Sequence, residues 1–211
     1  PEAFLSGAIQ DAQARYNLLN LVDGEGRPVA VELATLQRLC ELAGLPGGSA
    51  ERIPAGMAAA LSPALPEGNS PAPLLPRAVD QLRWFGLDAA AVARLAPYVV
   101  LLPVRTPVNV NTAPREVIAA VIPGLDLATA ERIVRERQSA PLRNLDAIRR
   151  VLSSSVQVDA RRVATVSAFF EVRGRLRLDD WIVEEQALMQ RRGLEVRTLW
   201  RDRVGLVESP R

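Results

Sequence analysis

Three ten-residue segments of this chain align with one another without a gap: "GLPGGSAERI" (44–53), "GLDAAAVARL" (86–95) and "GLDLATAERI" (124–133). Each opens on Gly-Leu and closes on an arginine followed by an aliphatic residue. Their starts lie roughly forty residues apart, a length that suits a helical-hairpin unit. The flanking patterns agree. Leu33, Leu36, Leu39 and Ala43 precede the first segment, and Ile118, Val121 and Ile122 precede the third. After it, Leu145, Ile148 and Leu152 keep i, i+3, i+7 spacing. Each glycine falls where one helix ends and the next begins, the place of a left-handed C-cap. The middle of the chain is therefore expected to be helices joined by tight turns.

The C-terminal third changes period. In "FFEVRGRLRLDDW", Phe170, Val172, Leu176 and Leu178 alternate with Glu171, Arg173, Arg175 and Arg177. Strict alternation marks a half-buried strand with an arginine-rich solvated face. "WIVEEQALMQ" follows, with Trp181, Val183, Ala187 and Met189 in phase, and "LEVRTLW" then places Leu194, Val196 and Trp200 inward. Gly193 between them suits a positive-φ turn position. This predicts an antiparallel meander of about three strands. At the other end, "SGAIQDAQARYNLLNLVD" (6–23) reads as a further strand or extended segment running into a polar turn. Residues 54–76, rich in Pro, Ala, Gly and Ser, read as a linker whose early part can hold a short helix, and 101–107 as an extended connector.

The fold class that results is α+β: a sheet from both chain ends, with a large all-α insertion of helix-hairpin units. The domain expectation is 1–30 with 153–211 for the β domain, and 31–152 for the α domain, divided at about 31–104 and 105–152.

"VNVNTAP" (108–114) opens the last helical unit. Thr112 is placed to N-cap a helix, with Pro114 in its first turn, where a missing N–H costs nothing. Glu116 suits the positive end of the helix dipole. Asn109 and Asn111 can bond neighbouring backbone and hold the strand-to-helix corner. The role expected of these residues is structural.

Composition narrows the chemistry. The chain has 211 residues, 48% of them hydrophobic, enough for a real core. No apolar run approaches the ~18 residues of a membrane helix. It begins at Pro1 with neither Met nor signal sequence and reads as a fragment whose targeting segment is missing. There are 26 basic residues, all arginine, against 24 acidic ones, a formal net charge of +2. The pI of 9.3 follows from the absence of histidine more than from excess charge, and gives little reason to expect a polyanion partner. Without histidine there is no Ser-His-Asp or Cys-His machinery and no usual zinc site. Cys40 is the only cysteine; its helical spacing with Leu33, Leu36 and Ala43 makes it a buried structural thiol. Neither a Gly-rich phosphate loop nor a serine elbow is present. The chain reads as non-enzymatic, without cofactor or metal.

Three stretches carry a family resemblance. "RYNLLNLVD" resembles the F/Y-N-L-N segment of the type II secretion minor pseudopilins of the K class (general secretion pathway protein K). "VNVNTAPREVIAAV" resembles the motif that opens their second helical subdomain, and "FFEVRGRLRLDDWIVEEQALMQRRGLEVRTLWR" resembles their closing strands. The resemblance covers nearly the whole chain in order. It implies a pilin-like antiparallel sheet, a large inserted α-domain of SAM-like helix-hairpin units, and a hydrophobic N-terminal helix that is missing here. It implies a single-pass inner-membrane protein whose soluble part lies in the periplasm of a Gram-negative bacterium, at the pseudopilus tip with I-type and J-type minor pseudopilins, supporting assembly and export of exoproteins. Asn17, Asn109, Asn111 and Thr112 are the residues expected to fix its architecture. One departure is clear: the acidic loop between the helical subdomains, associated in the family with calcium, is here "MAAALSPALPEGNSPAPLLPRAV", with Glu67 its only carboxylate before Asp80. Calcium wants 6–8 oxygen ligands, several anionic, so no metal site carries over.

The third unit also resembles the helix-hairpin-helix module of competence-type DNA receptors. There the hairpin usually reads Pro-Gly-Ile-Gly and grips a phosphate with backbone N–H groups. Here Asp126 holds the second glycine's place, where a carboxylate repels phosphate and instead suits an N-cap. No nucleic-acid partner is expected.

Overall fold

The computed structural model describes residues 3–61, 73–152, 156–178 and 181–208, without the side chains of 178 and 204–208. Asp179, Asp180 and residues 62–72 of the 54–76 linker, Glu67 among them, lie outside the described residues. The chain divides into two compact units: Pro1–Gln13 with Ser167–Arg211, and Ala14–Val166.

The first unit is a four-stranded antiparallel sheet. Strand β1 (Ala3–Asp11) is one of its two edge strands. The second unit begins with β2 (Tyr16–Asn17) and runs through α1 (Ala30–Leu42), α2 (Ser49–Leu61), α3 (Ala89–Leu95) and β3 (Val99–Val100). It continues with β4 (Val108–Asn109), α4 (Arg115–Val121), α5 (Leu127–Ser139), α6 (Leu145–Val151) and β5 (Val163–Ala164). The chain then returns to the sheet as β6 (Phe169–Leu178), β7 (Trp181–Arg192) and β8 (Glu195–Glu208), in the order β1-β6-β7-β8.

The expected helices are present, and the repeat has a physical basis. Gly44, Gly86 and Gly124 all take left-handed backbone, with φ of 64°, 82° and 75°, which a side chain would strain. The arginine near the end of each segment also has a use. Arg52 of the first donates to the Gly86 carbonyl at 2.9 Å, and Arg94 of the second donates to the Gly44 carbonyl at 2.7 Å. Each thus covers a carbonyl that a turn leaves open at the other segment. Helix α2 runs through Pro54 to Leu61, so the early part of the 54–76 stretch is helical, as the linker reading allowed. Ile53 and Met57, one turn apart, are fully buried and hold that path.

The helical unit is built twice on one plan. Its first half opens on β2 and closes on β3, which pair in parallel, Tyr16 with Val99 and Asn17 with Val100. Its second half opens on β4 and closes on β5 in the same way, Val108 with Val163 and Asn109 with Ala164. The entering hydrogen bonds are equivalent: Tyr16 N–H to the Tyr98 carbonyl at 2.8 Å, Val108 N–H to the Arg162 carbonyl at 2.9 Å. This moves the division between units from 30/31 and 152/153, where the sequence pattern placed it, to 13/14 and 166/167. The cause is burial: Tyr16, Leu18, Leu21 and Val22, and Val163 at the far end, belong to the core that holds the helices.

In the sheet, the meander and the Gly193 turn (φ 61°) are as expected, but the inward set of β7 and β8 is not. Ala187 is buried as expected, but Trp181 is 55% exposed, Val196 61% and Leu194 fully exposed, whereas Ile182 and Leu188 are buried. Pairing shifts between Leu188 and Met189, where β8 carries the extra residue Leu199. Residues opposite one another share a face. Val196, beyond the shift, therefore faces the opposite side from Trp200, which pairs with Leu188.

Candidate functional site

The two opening strands bring the predicted asparagines to equivalent corners. Asn17 is fully buried. Its Oδ1 accepts from Leu19 N–H at 3.1 Å and from Leu102 N–H at 3.2 Å, and its Nδ2 donates to the Val104 carbonyl at 2.7 Å and to Thr106 Oγ1 at 3.1 Å. Asn20, which the sequence reading passed over, does the same work one turn on. It donates to the Thr106 carbonyl at 2.8 Å and accepts the Thr106 N–H at 3.1 Å. Together they fasten the extended connector 101–107 to the start of the helical unit. The signal was the Asn-x-x-Asn spacing of "YNLLN".

At the second corner, Asn109 Oδ1 accepts from Asn111 N–H at 3.0 Å, the counterpart of the Asn17–Leu19 bond. Asn111 reaches outward. Its side chain accepts from Leu142 N–H and donates to the Leu142 and Thr165 carbonyls, each at 2.9 Å. Arg137 on α5 donates to the carbonyls of Val110 and Ala113. Thr112 does not cap α4. The N-cap is Pro114, without a side-chain cap bond, and the Thr112 hydroxyl donates back to the Asn109 carbonyl at 3.3 Å. The helix starts two positions later than a Thr112 cap requires, because the turn after Asn109 is closed by Thr112 N–H and Ala113 N–H on the same carbonyl.

Between the corners lies a buried ion pair that the sequence did not announce. Arg162 Nε is 3.1 Å from Glu32 Oε1, with side chains 7% and 6% exposed. Tyr16 Oη donates to Glu32 Oε2 at 3.0 Å, and Arg162 also bonds Thr35 Oγ1. Burial first, and the Glu32 carboxylate second, push the Tyr16 phenol well above its usual range. The arrangement ties β2, α1 and the approach to β5 together.

Asp126 takes the N-cap of α5, accepting Thr129 N–H at 2.6 Å, and this bond holds its carboxyl below the usual carboxylate range. The neighbouring Leu125 carbonyl is covered by Arg38. The hairpin thus presents an exposed carboxylate where a phosphate-gripping loop would present bare N–H groups.

The sheet offers a surface of another kind. Leu5, Leu176 and Val183 are paired across three strands, as are Ile9, Val172 and Ala187, so all six share one face. Leu5 is 82% exposed, Ile9 73% and Leu176 42%. The opposite face carries Arg173, Arg175 and Arg177; Arg175 pairs with Glu184 at 3.5 Å, and Arg177 lies over the Phe4 ring.

Two family models with one description, type II secretion system (T2SS), protein K, match residues 14–104 and 108–167. Their limits follow the two halves of the helical unit. No curated protein matches the chain. Among solved structures, a chain of the GspK-GspI-GspJ complex from the enterotoxigenic Escherichia coli type 2 secretion system is similar in fold, with a TM-score of 0.68. It is 20% identical, and the match covers 97% of this chain and 81% of that one.

Proposed function

The chain belongs to the type II secretion system protein K family, and from that premise we propose that it is a non-enzymatic minor pseudopilin of the pseudopilus tip. The observation that carries the reading beyond the family is the apolar sheet face. Leu5, Ile9 and Leu176 stand exposed on one side of a four-stranded antiparallel sheet, and apolar surface of this extent is a packing surface. In a pilin-like subunit that surface is covered by a hydrophobic N-terminal helix, which also anchors the protein in the inner membrane and leaves this part in the periplasm. The helical unit, read as two SAM-like hairpin modules, is then the insertion that distinguishes the tip subunit. Asn17, Asn109, Asn111 and Thr112 serve it as architecture.

The partners are I-type and J-type minor pseudopilins, as in the GspK-GspI-GspJ complex whose chain shares this fold. The role is to support pseudopilus assembly and exoprotein export. Among the described residues no group of three or more His, Cys, Asp or Glu is placed to hold a metal ion.

The test is association. This chain should co-purify with soluble I-type and J-type pseudopilin domains. Failure to associate with either, together with salt-sensitive binding of duplex DNA, would replace this reading by the helix-hairpin-helix one.

A further inference from the structure

Helices α5 and α6 enclose an open groove of about 730 Å³. Arg132 and Arg135 stand along it from α5 and Arg150 from α6, while Leu142, Ala147 and Val151 supply its apolar part. The spacing explains the arrangement: 132 and 135 are i, i+3 on one helix, and 147, 150 and 151 are i, i+3, i+4 on the other. Glu136 is the one carboxylate among the described lining residues. Nearby carboxylates are engaged elsewhere, Glu131 with Arg115 at 3.3 Å and Asp146 with Arg149 at 2.7 Å. Arg132 donates to the Val151 carbonyl at 2.7 Å and so closes the C-terminal end of α6. Arg135 and Arg150 are exposed and make no ion pair with the described residues. The floor is held in place, because both backbone groups of Leu142 are bonded to the Asn111 side chain.

We propose that this groove docks an acidic, amphipathic segment of a partner protein. Its carboxylates meet Arg135 and Arg150, and its apolar side chains lie on Leu142, Ala147 and Val151. Charge complementarity chooses the occupant. Guanidinium groups favour carboxylates through paired hydrogen bonds, and an apolar strip between them rewards a segment with a second, apolar side. A nucleic acid fits less well. The described lining has no aromatic ring on which a base could stack, and its apolar strip offers nothing to a sugar-phosphate chain. The proposal concerns a surface separate from the sheet and does not depend on the pseudopilin reading.

The experiment uses a short fluorescent helical peptide with glutamates on one face and leucines on the other. Controls are a glutamate-only peptide, a lysine–leucine peptide and a labelled DNA duplex. The glutamate–leucine peptide should bind best, and binding should weaken as salt rises. Arg135→Glu with Arg150→Glu should lower its affinity about tenfold while the melting curve stays that of the wild type. If that double variant does not fold, Arg135→Gln with Arg150→Gln provides the same comparison with a smaller loss. Peptide binding indifferent to these changes, binding of no peptide, or preference for the duplex with the same arginine dependence would each overturn the proposal.

Discussion

Arg162 and Glu32 meet at 3.1 Å across 130 residues of chain, both almost wholly removed from water. A buried pair of this kind is worth little over a well-packed apolar replacement, yet removing one partner leaves the other charge uncompensated. Glu32→Gln should therefore cost about 3–5 kcal/mol of unfolding free energy. Glu32→Leu with Arg162→Met should cost clearly less than that single change. Urea denaturation of the three proteins decides it; a double variant as unstable as the single one would show that packing, not charge, holds this point.

The two corner residues that look alike in "NVNT" should separate sharply. Asn111 makes three side-chain bonds to Leu142 and Thr165, each worth about 1 kcal/mol net, so Asn111→Ala should cost about 3 kcal/mol. Thr112 caps no helix, and its hydroxyl bond to the Asn109 carbonyl is long at 3.3 Å, so Thr112→Ala should cost under about 1 kcal/mol. Equal losses in thermal or urea unfolding would contradict the assignment.

Gly56 sits inside α2, where glycine is normally worse than alanine by about 1 kcal/mol. Here the sign should reverse. A Cβ on Gly56 would overlap the Phe85 ring, so Gly56→Ala should destabilise the chain. Phe85→Leu in the same background should recover part of the loss. A Gly56→Ala protein that melts higher than the wild type would refute the close approach.

What the sequence disclosed follows from where its signals are local. Helix period, left-handed glycines and strand alternation are written over a few residues, and so the helices around 44, 86 and 124 and the β6–β7–β8 meander could be read directly. The asparagine corners were legible as corners, because an Asn two residues before a bonded N–H is a local event. The contacts of Asn17 with Val104 and of Glu32 with Arg162 depend on topology and left no trace in spacing. The bulge at Leu199 was equally hidden: one extra residue changes the face of everything beyond it, and nothing in "LEVRTLW" marks which residue is extra.

The hairpin should not bind DNA. Asp126 is ionised and exposed at the N-terminus of α5, with its carboxyl held low by the Thr129 N–H, and Arg38 covers the Leu125 carbonyl beside it. No duplex binding is expected at physiological ionic strength at tens of micromolar protein, roughly the range in which non-specific phosphate contacts register. Asp126→Gly should not create it. Anisotropy that rises with protein and collapses with salt would show otherwise.

The pH dependence has a definite shape. Without histidine, no side chain titrates between the carboxylates and the thiol at their ordinary values, so stability should be level from about pH 6 to about pH 8. Burial, with Glu51 and Glu41 adding to it, pushes the Cys40 thiol up to about 11; burial and Glu32 push the Tyr16 phenol up as well. In the unfolded chain these groups ionise near ~8.5 and ~10. A raised folded value means that the fold holds the proton more tightly. The stability it gives is complete below the unfolded value and is lost as pH climbs toward the folded one. The urea midpoint should thus begin to fall above about pH 8.5 and fall faster above about pH 10. Cys40→Ala should remove the first part of the descent and Tyr16→Phe the second, each at some loss of stability at neutral pH. A wild-type midpoint that stays level to about pH 10.5 would mean that neither group resists ionisation in the fold.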